Sequence, residues 1–316
     1  MYKRSKIAII GAGMVGSATA FSLLQSGVAL ELLLIDKNKD RAEGEAMDLS
    51  HGVPLAYLVN VRSGGYEDLP GADIVIITAG AAQNEGETRL DLVHKNTAIM
   101  KDIVPQIVAQ VPDSILIVVT NPVDVLTYAA LQISEFPDSR VMGSGTVLDT
   151  SRLRHALSLQ AEIDTRNIHA YVLGEHGDTE FVAWSRAHVA GTPLDEYFED
   201  DLEKPLTREI KEELARQVRD AAYDVIEKKG ATYYAVALAL NRICRAILRG
   251  ERSILTVSTS VQGIYGVEDV CLSIPCVVGR GGIERKIPFH LDDEEVKNWQ
   301  KSASAMAEFT QNLRLD

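Results

Sequence analysis

The sequence has few cysteines, no long apolar run and no excess of positive charge. Its three cysteines, Cys244, Cys271 and Cys276, form no CxxC pair. The sequence therefore predicts neither a disulfide framework nor a cysteine-ligated metal site, and the thiols are expected to be small buried side chains in a reducing compartment. Lysine and arginine total 32 against 45 aspartate and glutamate residues, a net charge of −13. This acidic balance disfavours nucleic acid and anionic membranes as partners.

Signals for secretion or membrane insertion are also missing. The segment 1–6 carries a net positive charge, but only the short apolar stretch 7–10 and a glycine follow it. This stretch is too short for the apolar core of a signal peptide. No run approaches the roughly 18 apolar residues that a membrane-spanning helix needs. We therefore expect a soluble, cytoplasmic protein. Its length of 316 residues suggests about two domains.

Short apolar runs alternate with helical patterns in the first half of the chain. Each run is apolar throughout, as expected for a strand in a parallel sheet that is covered on both faces. The predicted strands are 6–10, 30–35, 74–78, 115–119 and 141–142, and the predicted helices are 14–25, 39–49, 90–111 and 122–131. This alternation indicates an α/β fold with a Rossmann-type, doubly wound parallel sheet.

After about residue 160 the strands no longer alternate regularly with helices, and they cluster around long helices instead. The predicted strands there are 168–173, 253–261, 270–278 and 283–289, and the predicted helices are 207–228, 231–248 and one that begins at 292. This order is typical of an α+β domain. No Ser/Gly-rich linker separates the halves, so we expect domains 1–145 and 146–316 to form one rigid body with a cleft between them.

A glycine-rich turn, Gly11-Ala-Gly13-Met-Val-Gly16, joins the first predicted strand to the first predicted helix. Such a turn lets a pyrophosphate approach the backbone at the N-terminus of a helix, where free N–H groups point at the phosphates. Asp36 closes the second predicted strand, and a carboxylate there can accept hydrogen bonds from ribose hydroxyls but repels a 2′-phosphate. The pattern predicts a site for NAD rather than NADP.

Two later segments carry residues suited to acid–base chemistry. His176 stands between glycines in Gly174-Glu-His176-Gly-Asp178, and Asp149 and Arg152 are spaced i, i+3 on a helical pattern. The pair could be a surface ion pair of little consequence. Alternatively, Asp149 could orient His176 and favour its protonated form, while Arg152 binds a substrate carboxylate through its planar guanidinium. Spacing alone leaves both interpretations open.

These segments, together with Asn121-Pro-Val-Asp124 and the stretch 83–93, resemble the lactate/malate dehydrogenase family. The resemblance runs from about residue 5 to about residue 310 in order, and within the family it points to the L-lactate dehydrogenases. It implies that NADH delivers hydride to a keto carbon while His176 acts as the acid/base, with Asp149 as its partner.

The same resemblance assigns the remaining site residues. Arg152 is implied to bind the substrate carboxylate, and Arg89, on a mobile loop, to polarise the substrate carbonyl. Asn121 and Thr232 are implied to line the substrate pocket. The residues implied to contact NAD are Gly11, Gly13, Val15, Gly16, Asp36, Arg41, Tyr66, Gly80, Ala81, Val119, Asn121 and Ser144.

Gln83 is the position that indicates the substrate. Lactate-type members of the family carry Gln there, whereas malate-type members carry Arg. Oxaloacetate brings a second carboxylate, and burying it without a cation costs several kcal/mol. No residue from 80 to 88 is basic, which favours pyruvate and L-lactate. Ala82 is smaller than its counterpart in many relatives, so bulkier 2-keto acids and a broader L-2-hydroxyacid dehydrogenase stay open. A malate dehydrogenase of the same family is the nearest other alternative.

Arg154 and His169 suggest a regulatory site. Arg154 lies about 200° around the helix from Arg152 and faces away from the active site, as a solvated surface arginine would. Both residues nevertheless match positions that bind fructose 1,6-bisphosphate in allosteric bacterial members of the family. The resemblance thus implies a homotetramer that fructose 1,6-bisphosphate activates.

Two other classes of protein share the fold or the residues of this family. An NAD-dependent glycosidase has a related fold but needs a metal site, and the cysteines give no hint of one. A structural protein recruited from a dehydrogenase would keep the fold and the residues. Every catalytic position that the resemblance identifies is filled, which favours an enzyme.

Overall fold

The computed structural model describes residues 5–82 and 86–313. Of Asp201 it describes only the backbone. Helices and strands alternate in its first part. They are β1 (Lys6–Ile10), α1 (Met14–Ser26), β2 (Glu31–Ile35), α2 (Lys39–Gly52), β3 (Asn60–Ser63), β4 (Ile74–Ile77), α3 (Arg89–Gln110), β5 (Ile115–Val118), α4 (Val123–Ser134) and β6 (Val141–Gly143). The strands pair in parallel in the order β3-β2-β1-β4-β5-β6. This is the predicted Rossmann-type arrangement.

Alternate residues of each central strand enter two different cores. Along β1, Ile7 and Ile9 join one apolar cluster, whereas Ala8 and Ile10 join another. Because successive side chains of a strand point to opposite faces, a strand buried on both sides must be apolar at every position. This requirement explains the uninterrupted apolar runs of the sequence.

The second part begins with a helix that carries site residues. Its elements are α5 (Val147–Ala161), β7 (Ile168–His169), β8 (Val172–Leu173), β9 (Phe181–Val182), β10 (His188–Val189), β11 (Thr192–Pro193), α6 (Leu194–Glu196), α7 (Arg208–Lys229), α8 (Tyr234–Arg249), β12 (Ser253–Ile264), β13 (Val267–Gly279), β14 (Gly282–Lys286) and α9 (Asp293–Thr310). The mixture of antiparallel strands and helices matches the predicted α+β class.

The main sheet continues through both parts. Strand β12 pairs with β6 in antiparallel fashion through Ser258 and Gly143, and β13 and β14 extend the sheet further. Within the described ranges the sheet has nine strands, in the order β14-β13-β12-β6-β5-β4-β1-β2-β3. Shared hydrogen bonds, rather than a linker, therefore hold the two parts together.

The structure differs from the predicted elements at several places: the short elements β3, β9, β10, β11 and α6 were not predicted, and 168–173 was predicted as one strand. Residues 60–63 form the edge strand β3, which the sequence did not predict because only one of its four residues is buried. Residues 168–173 are not one strand, since β7 pairs with β10 whereas β8 pairs with β9. The apolar run is therefore shared between two small sheets.

The three cysteines are buried and free, as predicted. None of the helices in the described part of the chain is long and apolar enough to cross a membrane. The loops after β1, β4, β5 and β6 leave the carboxyl edge of the parallel sheet, which is where doubly wound folds bind ligands.

Candidate active site

The glycine-rich turn between β1 and α1 has a shape that only glycine allows. Gly11 has a φ of +107°, and a Cβ there would lie 2.6 Å from the amide nitrogen of Ala79. A Cβ on Gly16 would lie 1.9 Å from the carbonyl oxygen of Gly11. Gly13 caps α1 without a side-chain hydrogen bond, and a Cβ there would meet no atom within 4 Å. The helix N-terminus is thus open for a phosphate group.

A cleft of about 750 Å³ lies beside this turn. The predicted cofactor residues among those that line it are Gly11, Gly13, Asp36, Arg41, Tyr66 and Gly80. Burial, helped by the charge of Asp102, raises the pKa of Tyr66 to about 12, so its hydroxyl is a neutral hydrogen-bonding group at ordinary pH. The cleft therefore combines an open helix N-terminus with polar groups suited to a dinucleotide.

Asp36 stands at the end of β2 with a fixed carboxylate. Its Oδ2 accepts a hydrogen bond of 2.7 Å from the backbone N–H of Ala12, and its Oδ1 accepts one of 2.9 Å from that of Asn38. Each carboxylate oxygen has a second lone pair, which a ribose hydroxyl can use. This geometry fits the preference for NAD that the sequence predicts.

The other predicted cofactor residues lie outside that cleft. Val15 and Gly16 belong to the first turn of α1. Ser144 donates its N–H to the carbonyl of Val118, the residue before Val119, over 2.8 Å. Ala81 and Asn121 are joined through a residue that the sequence reasoning missed, Asn96.

Asn96 is a fully buried polar residue of α3. Its Oδ1 accepts a 2.7 Å hydrogen bond from the N–H of Ala81, and its Nδ2 donates one of 2.8 Å to the carbonyl of Asn121. It therefore fixes two loops at the carboxyl edge of the sheet relative to each other. A lone amide within the apolar stripe of a helix was the signal that could have revealed it.

His176, Asp149 and Arg152 form one connected group. The Nδ1 atom of His176 lies 2.7 Å from Oδ2 of Asp149, and Nη1 of Arg152 donates to Oδ1 of Asp149 over 2.8 Å. The Asp149 side chain is only 2% exposed, whereas that of His176 is 25% exposed. Asp149 lies in the first turn of α5, where the helix dipole favours a negative charge.

This environment favours the charged forms of both partners. Burial alone would lower the pKa of His176, but the charge and hydrogen bond of Asp149, helped by other acidic groups nearby, raise it to about 9. Burial likewise opposes ionisation of Asp149, but His176 and Arg152 overcome it and lower the pKa of that carboxyl. The group can therefore store a proton on the histidine at neutral pH.

The backbone of His176 is held from a second side. Its N–H donates to Oδ2 of Asp124 over 2.7 Å, and Ser258 donates its hydroxyl to the other oxygen of that carboxylate. Asp124 lies in the first turn of α4 and is buried, which raises its pKa to about 6. The Asn121-Pro-Val-Asp124 segment thus positions the histidine loop, a role that the sequence alone did not indicate.

Arg89 lies against the same histidine loop. It is the first residue of α3, after the N-cap Thr88, where the helix dipole disfavours a cation. Two carboxylates offset this: Arg89 pairs with Glu175 and, over 3.2 Å, with Asp178. Tyr223 of α7 donates to the other oxygen of Asp178 over 3.1 Å. The guanidinium is thereby held against the loop that carries His176.

Thr232, a predicted substrate residue, is not joined to this group. Thr232 is half-buried in the connection between α7 and α8, and no hydrogen bond links it to the other site residues that the structure describes. Gln83, the residue predicted to select the substrate, lies outside the described residues.

Arg154 and His169 lie close in the chain fold but point to different surroundings. Arg154 donates its Nε–H to the carbonyl of Ala170 over 3.1 Å and stacks on Tyr171. Burial lowers the pKa of its guanidinium. Arg154 lines a cleft of about 560 Å³ among α5, α8 and β12. His169 is exposed and faces His188 across the β7–β10 pair.

Comparison with known proteins accounts for this combination of features. The sequence profile described as lactate/malate dehydrogenase, NAD binding domain, matches residues 5–143, and the one described as lactate/malate dehydrogenase, alpha/beta C-terminal domain, matches residues 146–313. The chain belongs to the lactate/malate dehydrogenase family. It is accordingly an NAD-dependent oxidoreductase, and the open helix N-terminus and Asp36 fit that cofactor.

Individual relatives are similar over the whole chain. The protein called L-lactate dehydrogenase 1 from Clostridium acetobutylicum is 54% identical over 308 residues, 98% of each chain. The L-lactate dehydrogenase of Thermoanaerobacterium saccharolyticum is 51% identical over 98% of this chain and 99% of its own. Among solved structures, the minor L-lactate dehydrogenase from Enterococcus mundtii matches with a TM-score of 0.95 and 42% identity over 99% of this chain and all of its own.

Proposed function

We propose that this protein is an L-lactate dehydrogenase that interconverts pyruvate and L-lactate. The observation that carries the proposal is the joined group of His176, Asp149 and Arg152, in a chain that also has a cleft suited to NAD. Relatives named L-lactate dehydrogenase at 50% identity or more support it. In this proposal residues 1–145 bind the cofactor and residues 146–316 carry the acid/base pair.

His176 is the proposed acid/base. When bound, NADH supplies the hydride that reduces the keto carbon. Because Nδ1 of His176 is engaged by Asp149, Nε2 is the nitrogen free to give its proton to the carbonyl oxygen. Asp149 stays ionised and stabilises the imidazolium before that transfer.

The two arginines have separate proposed roles. Arg152 uses one Nη1 contact for Asp149, so other N–H groups of its planar guanidinium remain for a substrate carboxylate. Arg89, held against the loop that carries His176 by Glu175 and Asp178, is proposed to stabilise the charge that grows on the carbonyl oxygen. Asn121 and Thr232 are proposed to complete the substrate pocket.

The direct test compares NADH oxidation with pyruvate and with oxaloacetate. A preference for pyruvate of roughly a thousandfold in kcat/KM, about 4 kcal/mol in transition-state binding, is expected for a pocket without a second cation. Comparable rates, or a preference for oxaloacetate, would overturn the choice of substrate while leaving the family unchanged.

Gln83→Arg should move the preference toward oxaloacetate by two orders of magnitude or more, on the order of 3 kcal/mol, since it supplies the missing cation. Gln83→Met, which is similar in size and uncharged, should retain the preference for pyruvate. Steady-state kcat/KM values for both keto acids measure the shift. If Gln83→Arg prefers pyruvate as strongly as the wild type, another residue sets specificity.

We further propose a homotetramer that fructose 1,6-bisphosphate activates through Arg154 and His169. Exposed apolar side chains support self-association: Phe21 of α1 is 53% exposed, Met47 of α2 is 54% exposed and Leu238 of α8 is 66% exposed. These helices pack side by side, and a large exposed apolar patch is typical of an interface. Arg154 donates to the carbonyl of Ala170, the residue after His169, so the two residues lie on neighbouring parts of the fold.

Arg154→Gln should abolish the fall in pyruvate KM that fructose 1,6-bisphosphate causes, because it removes a phosphate-binding cation. The exposed Arg216→Gln of α7 is the control and should respond as the wild type does. Pyruvate KM with and without the bisphosphate measures the activation. The mass in sedimentation equilibrium measures the assembly into a tetramer. An Arg154→Gln variant with an undiminished response would exclude this site.

A further inference from the structure

Glu180 is a buried acidic residue for which the proposed function has no role. It lies immediately before β9, and the residue is only 7% exposed. Its Oε1 atom has no hydrogen-bond partner among the described residues. An unsatisfied buried carboxylate is costly, so its presence calls for an explanation.

The surroundings of Glu180 are those of the acid/base pair itself. One carboxylate oxygen of Glu180, one of Asp149 and one ring nitrogen of His176 lie within 4.8 Å of one another. The charges that act on Glu180 are those of Asp149 and Arg152 on α5, His176 on its loop and Arg219 on α7. Glu180 thus shares one buried cluster with the proposed carboxylate-binding arginine.

Two carboxylates this close are not ionised independently. Burial and the negative charge of Asp149 raise the pKa of Glu180 well above its usual range, against the opposing effects of His176, Arg152 and Arg219. Asp149 is the member that stays ionised, because it accepts hydrogen bonds from both His176 and Arg152, whereas Oε1 of Glu180 accepts none.

We propose that Glu180 is a positioning residue that holds a proton while substrate is bound, so that Arg152 meets the substrate carboxylate without a second anion beside it. The inference rests on the proposed function, since it takes Arg152 as the carboxylate-binding residue. Loss of the proton places a negative charge in the cluster. That charge repels the substrate carboxylate and weakens its binding.

In lactate oxidation, the ionisation of Glu180 and the deprotonation of His176 change the KM for L-lactate in opposite directions. Lactate oxidation requires neutral His176. As the pH rises, His176 loses its proton, and this lowers the KM for L-lactate. Ionisation of Glu180 acts in the opposite direction, because it raises the KM for L-lactate. We expect the wild-type KM to fall and then to rise by roughly tenfold at alkaline pH, the order expected for one added charge nearby.

The decisive experiment measures KM and kcat for L-lactate between about pH 6 and about pH 10, a range that includes the raised pKa of His176, about 9. Glu180→Gln resembles the protonated acid but cannot ionise, so its KM should lack the alkaline rise. Glu180→Asp should retain the rise, as should Glu196→Gln, the control for loss of an exposed carboxylate of α6. An alkaline rise of wild-type size in Glu180→Gln would overturn the inference.

Infrared spectroscopy of the enzyme with NAD provides a readout that does not depend on turnover. A band from a protonated carboxyl group should be present in the wild type at neutral pH, absent in Glu180→Gln and shifted in Glu180→Asp. Absence of that band from the wild type would overturn the inference. If the band is present but the wild type oxidises no L-lactate, the proposed function fails and the proton on Glu180 stands.

Discussion

Asp149→Asn is expected to lower kcat/KM for pyruvate by about three orders of magnitude, within the range that positioned acid–base groups contribute. The carboxylate holds Nδ1 of His176 at 2.7 Å and is itself held by Arg152. Asparagine keeps the size of the side chain but removes the charge that stabilises the imidazolium. The cofactor cleft is separate from this contact, so the Kd for NADH should change little.

The pH profile shows whether the loss arises from the histidine. Pyruvate reduction needs protonated His176, whose pKa is raised to about 9 in the wild type, so activity should be level below that pH and fall above it. Without Asp149, burial is no longer outweighed and the pKa of His176 drops. The fall in kcat/KM then begins at a lower pH.

The exposed Asp224→Asn of α7 is the matched control, because it removes a carboxylate that has no contact with the site. It should reproduce both the wild-type rate and the wild-type pH profile. An Asp149→Asn enzyme with the wild-type profile would show that Asp149 does not set the proton affinity of His176.

Arg89→Gln is expected to lower kcat by two to three orders of magnitude, about 3 to 4 kcal/mol, the usual cost of removing one group that stabilises an oxyanion. The residue lies against the loop that carries His176 rather than in the cofactor cleft. Binding of NADH, measured by fluorescence titration, should therefore weaken far less than kcat falls.

Arg208→Gln is a close control for Arg89→Gln. Both arginines are the first residue of a helix after a threonine N-cap, but Arg208 pairs with exposed glutamates far along the chain from the histidine loop. Its kcat should match that of the wild type. An Arg89→Gln enzyme with unchanged kcat would refute the assignment of Arg89.

The parallel sheet was predictable because its strands must be apolar on both faces. Strands such as β1 therefore stand out as short uninterrupted apolar runs, and glycines and Asp36 mark the cofactor turn at their ends. Strand β3 escaped prediction because an edge strand needs few apolar residues. The division of 168–173 between two sheets was equally invisible, since each half contributes buried apolar residues, Ile168 to one sheet and Val172 and Leu173 to the other.

The site could be predicted only in part. The sequence placed Asp149 and Arg152 on one helix and singled out His176, and the resemblance assigned their roles and added Arg89. The pairing of Arg89 with Glu175 and Asp178 joins α3 to the histidine loop across more than eighty residues. No local pattern encodes such contacts, because they depend on how distant elements pack.

By itself the sequence determined the alternation of strands and helices, the dinucleotide turn and the residue types needed for acid–base chemistry, since these are properties of neighbours along the chain. Tertiary structure alone decided which carboxylates act together. Asp149, Glu180 and Asp124 come from three separate segments, yet all lie around His176. Their charges and burial are set by distances between elements, and those distances decide which group carries the proton.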